Sequence, residues 1–71
     1  MFTVYFYDKQ QCMVAEHEID CITKEAAAFT ARLETYNNHF GNNRDYEFFD
    51  VRDSNKRIVA SGSWTNDIEI F

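Results

Sequence analysis

The stretch TKEAAAFTARLETYNNHFG, Thr23 to Gly41, decides the architecture of this 71-residue chain. Thr23 offers a side-chain oxygen to the first turn of a helix, and Glu25 lies in that turn, where the helix dipole favours an anion. Ala26, Phe29, Leu33, Tyr36 and Phe40 then recur at alternating steps of three and four residues, which reads as one apolar helical stripe. Gly41 stands where a left-handed C-terminal cap belongs. The pattern predicts one helix with that stripe against the core.

Strand patterns flank it. FTVYFYD, from Phe2, is β-branched and aromatic throughout, with Phe2, Val4 and Phe6 on one side and Thr3, Tyr5 and Tyr7 on the other. After the polar break DKQQ, CMVAEHEI reads as a second strand, with Met13, Ala15, His17 and Ile19 sharing a face. So short a break predicts an antiparallel hairpin. Downstream, YEFFDVRD and RIVASGSW read as strands around the turn SNK, and the tail DIEIF as a short edge strand or an arm. The expected fold is α+β: a two-layer sandwich of hairpin, helix and hairpin (ββαββ), its four-stranded antiparallel sheet covered by the helix on one face. The helical stripe is expected to pack on Phe2, Val4, Phe6, Met13, Ala15, Ile19, Phe49 and Val51.

Residues 1–71 read as a single domain. Apolar residues make up 45% and aromatics 17%, so core material is plentiful for a chain near the lower size limit of unaided folding. There is no proline and there are only two glycines, which argues against linkers and low-complexity segments. MFTVYFYDKQ lacks the basic start and apolar run of a signal peptide, and no apolar stretch nears the ~20 residues of a membrane span. Two cysteines, Cys12 and Cys21, are too few for a disulfide scaffold, so a cytoplasmic setting is expected. A formal net charge of −5 weighs against direct nucleic-acid binding, which needs lysine and arginine at the phosphates.

The segment VAEHEID, Val14 to Asp20, places an acid at every second position. One helix covers one sheet face, so alternation sets Tyr5, Tyr7, Glu16, Glu18, Tyr46, Phe48 and Asp50 on the uncovered side, with Asp20 and Glu47 as further acids nearby. Such carboxylates serve as a solvated strand face that blunts an edge. Set among aromatic rings, they also suit docking on a basic protein or nucleic-acid-binding complex.

Chemistry finds little support. Cys12 and His17 differ by an odd number of positions and face opposite sides of a regular strand, and His17 with Cys21 makes only two ligands, so no metal is expected. Ser61, Ser63 and Thr65 surround Gly62 without a nucleophile motif, and Gly62 suits a bulge or close backbone approach. Asp50 and Asp53 are commonplace in an acidic chain, and FGNNR lacks the spacing and lysine of a phosphate loop. Arg44, Arg52, Lys56 and Arg57 balance neighbouring acids. The expectation is a protein that is no enzyme and carries no cofactor. Trp64 is expected in the core. The alternative expectation is a structural or regulatory homodimer, assembled through the edge offered by the alternating tail IEIF or by burial of the open sheet face.

In size, acidity and element order the chain resembles the small inhibitors that bacteriophages encode against host defences, anti-CRISPR proteins among them. The segment YEFFDVRDSNKRIVASGSW carries the likeness most specifically: an aromatic strand, a polar turn and a strand ending in tryptophan. The resemblance implies occlusion of a target surface, in some cases by mimicry of nucleic acid before a basic groove. Such inhibitors are diverse, so no residue role transfers by position. Glu16, Glu18, Asp20, Glu47 and Asp50 are candidates from the chain's own pattern.

Overall fold

The first hairpin forms where the alternation places it. β1 (Phe2–Tyr7) and β2 (Met13–Ile19) run antiparallel, with Phe2 opposite Ile19, Val4 opposite His17 and Phe6 opposite Ala15. Asp8 closes the turn, its carboxylate accepting the backbone N–H of Gln10 at 3.0 Å and of Cys12 at 2.9 Å. These bonds hold Gln11 in the left-handed region, at φ 64°. The computed structural model describes residues 1–40, 46–65 and 67–71. Gly41 and Arg44 lie outside them, and with them the expected C-cap and the loop FGNNR beyond Phe40.

Helix α1 (Lys24–Phe40) begins as its cap predicts: Thr23 Oγ1 accepts the N–H of Ala26 at 3.1 Å. After it come β3 (Phe48–Arg52), β4 (Ile58–Ser63) and β5 (Ile68–Ile70). The sheet has five antiparallel strands in the order β2-β1-β3-β4-β5, one more than the four expected. The tail resolves as β5, an edge strand on β4 with Ala60 opposite Ile70 and Gly62 opposite Ile68. The layout is therefore ββαβββ, still α+β with one helix on one face.

The core reverses the expected helix orientation. Ala27, Ala28, Ala31 and Thr35 are buried against Val4, Phe6, Tyr46, Phe49, Val51 and Ala60. Phe29, Leu33, Tyr36 and Phe40, with Ala26, face outward. At 100° per residue the two stripes lie nearly opposite on the helix. Volume decides between them. The sheet supplies the bulk through Phe6, Phe49 and Tyr46, so the helix must come close, and only alanine-sized side chains fit beneath it at native packing density. Thr35 is accommodated because its hydroxyl donates to the Ala31 carbonyl at 2.7 Å.

Two register shifts also redirect side chains. Between Phe6 and Tyr7 the pairing skips Val14, so Met13 stands opposite Tyr7 and is exposed away from the helix, where packing on it was expected. A second shift skips Val59 and sets Ile58 opposite Arg52. Gly62 serves close approach: a Cβ there would stand 2.5 Å from the Asp67 carbonyl oxygen and 2.9 Å from the Phe49 ring.

Candidate protein-binding surface

The uncovered sheet face is organised in rows that cross the strands, because directly paired residues share a side. The central row reads Glu16, Tyr5, Asp50, Ser61, Glu69 from one edge of the sheet to the other. With strands about 4.8 Å apart it spans roughly 19 Å. On one side lies the row Glu18, Thr3, Arg52, Ile58, and on the other Met13, Tyr7, Phe48, Ser63. Aromatic rings occupy the middle, and a carboxylate ends the central row at each edge.

The centre is locked by hydrogen bonds. Tyr7 Oη donates to Asp50 Oδ2 at 2.7 Å, Arg52 Nε donates to Asp50 Oδ1 at 3.2 Å, and the Arg52 guanidinium lies 4.5 Å from the centre of the Tyr5 ring. Burial first, then the hydrogen bond and charge of Asp50, push the Tyr7 phenol above its ordinary pKa of 10.0, although Arg52 pulls the other way. The hydrogen bond that Arg52 donates to Asp50 likewise holds its guanidinium more firmly protonated. Asp50, only 8% exposed, is thus paired with Arg52 and holds the Tyr7 hydroxyl, while Arg52 covers the Tyr5 ring. The exposed negative charge belongs to Glu16, Glu18 and Glu69.

Of the nine residues expected at the site, Tyr5, Tyr7, Glu16, Glu18, Phe48 and Asp50 meet on this face. Asp20 is exposed just beyond the end of β2. Tyr46 departs from the expectation. It is 6% exposed and packs on Phe6 within the core, with ring centres 4.8 Å apart. It precedes β3, so strand alternation does not reach it. Its phenol is raised above 10.0 by burial and by the charge of Glu34. Glu47 also leaves the face and accepts the Trp64 indole N–H at 3.0 Å near the end of α1.

That end carries a second aromatic group. Trp64 is half-buried, where a core position was expected. It stacks on His39 with centres 4.3 Å apart and meets Phe40 edge-on at 5.1 Å. His39 Nδ1 donates to the Tyr46 carbonyl at 3.1 Å. On the helix side of β2, His17 Nδ1 lies 2.9 Å from the Glu34 carboxylate and ties the strand to the helix. Cys12 and Cys21 are free thiols, and among the described residues no three His, Cys, Asp or Glu side chains are placed to hold a metal ion.

Arg52 and Glu69 are the members of the surface that sequence reasoning missed. Both were within reach: Arg52 alternates with Phe48 and Asp50, and Glu69 sits between the inward isoleucines of IEI. No helix among the described residues is long and apolar enough to cross a membrane. Comparison with protein-family models, curated proteins and solved structures finds no match.

Proposed function

We propose that this is a non-enzymatic binding protein that docks its uncovered sheet face on a basic partner, as a phage-type inhibitor occludes a nucleic-acid-binding host complex such as a CRISPR effector. The observation that carries the reading is the centre of the face: the Tyr7 ring held by Asp50 and the Tyr5 ring under Arg52, with an exposed carboxylate at each end of the central row. Rigid aromatics supply contact area at low entropic cost, and edge carboxylates steer the face onto a cationic groove. A cytoplasmic setting accompanies this reading. Direct nucleic-acid binding fits it poorly, because Arg52 is committed to Asp50 and the exposed charge of the face is negative.

The test is capture from nuclease-treated bacterial lysate by the immobilised protein, beside a Glu16→Lys, Glu18→Lys double variant. Both positions are exposed, so the variant keeps its fold. A basic protein held by the native chain should be lost by the variant, and native binding should weaken with salt more steeply than residual variant binding. Equal retention by both proteins would show that the sheet face is not the docking site.

A further inference from the structure

The four largest apolar side chains on the outer face of α1 stay about half open to water, although Phe40 touches Trp64 and Tyr36 at its edges. Phe29 is 65% exposed, Leu33 55%, Tyr36 44% and Phe40 57%. They form one continuous stripe, and at about 200 Å² for a large side chain it leaves roughly 450 Å² of each molecule open to water. That extent matches the largest apolar patch of a typical monomer, roughly 300–600 Å², which is often a functional one.

Its spacing is its own mirror image. The steps from Phe29 to Leu33, Tyr36 and Phe40 are four, three and four residues, unchanged when the helix is read backwards. Two helices laid antiparallel about a two-fold axis therefore set Phe29 against the second copy's Phe40, and Leu33 against the second copy's Tyr36. Charge points the same way. The chain carries a formal −5, which opposes self-association, yet α1 is neutral, Lys24 and Arg32 balancing Glu25 and Glu34. A strongly basic or acidic partner would find no complementary charge on this helix. A second copy meets no net repulsion there.

We infer that the outer face of α1 is a homodimer interface, two copies pairing their helices antiparallel through Phe29, Leu33, Tyr36 and Phe40. The area sets the strength. Roughly 900 Å² buried in total falls below the ~1,200 Å² of stable complexes, which places the pair among weak, reversible dimers. The helix lies opposite the uncovered sheet face, so dimerisation leaves both copies of that face free. The inference does not depend on the docking proposed for the sheet.

Sedimentation velocity from about 10 μM to about 1 mM reads the association directly, half-dimerisation being expected at tens to hundreds of micromolar. Leu33→Glu should keep the chain monomeric over the whole range with an unchanged circular dichroism spectrum, because Leu33 is 55% exposed and lies outside the buried core. In the native dimer, isotope-filtered NMR should show nuclear Overhauser contacts between Leu33 methyls and the Tyr36 ring of the other copy. A native chain monomeric at 1 mM overturns the inference. So does a dimer that survives Leu33→Glu, which would move self-association to the β5 edge or the sheet face. If the lysate capture is lost on Leu33→Glu while the native chain is monomeric, the stripe belongs to a different protein.

Discussion

Gly62 shows how one missing methyl group sets the spacing at the sheet edge. The Asp67 backbone and the Phe49 ring both occupy the space a Cβ would need. Gly62→Ala should cost about 1–3 kcal/mol through forced shifts, read as a lower urea midpoint at unchanged slope. Tyr7 and Tyr46 carry the second residue-level expectation. Both phenols are raised above 10.0 in the fold, so the neutral form is favoured there. Their contribution to stability is complete below pH 10 and falls away as pH rises from about 10 through the folded values. Spectroscopic titration should find these two of the four tyrosines ionising late, and Tyr7→Phe should remove one of them. Alternation placed Tyr7 correctly because it lies within a strand. It misplaced Tyr46 because pairing stops at Phe48.

The helix was legible in its existence and its start, and misread in its orientation. Thr23→Ala should lower stability by about 1 kcal/mol, since it removes the acceptor for the Ala26 N–H. Hydrophobicity picks out Phe29, Leu33, Tyr36 and Phe40, whereas packing against a sheet already crowded with Phe6, Phe49 and Tyr46 picks out Ala27, Ala28 and Ala31. A pair of substitutions separates the two orientations. Ala31→Leu should destabilise by about 1–3 kcal/mol or block folding through overpacking, and Leu33→Ala should stay within about 0.5 kcal/mol of the native chain. Urea unfolding of both proteins reads the difference. The opposite ranking would turn the helix round.

Across the whole molecule, the tail is structural. β5 pairs with β4, Ile68 packs against the core, and Lys24 at the start of α1 donates to the carbonyl of Phe71. Truncation after Asp67 should therefore lower the thermal midpoint and make β4 the new edge strand. Scanning calorimetry checks this. An unchanged midpoint would reduce β5 to an arm. For the same reason truncation is a poor probe of edge-to-edge dimerisation, and a charge on the helix is a better probe of self-association.

The sequence by itself determined the α+β class, the single capped helix, the first hairpin, the second hairpin's strands and the acidic, aromatic character of the uncovered face. Those features follow from local periodicity and turn chemistry, which a short window of residues carries. Tertiary structure decided the helix orientation, the two register shifts that turn Met13 and Ile58 outward, the burial of Tyr46 and the pairing of Asp50 with the Tyr7 hydroxyl and the Arg52 guanidinium. Each depends on volume and hydrogen bonds supplied by distant parts of the chain. Tyr7 and Asp50 lie 43 positions apart, a distance over which no local pattern signals that they will meet.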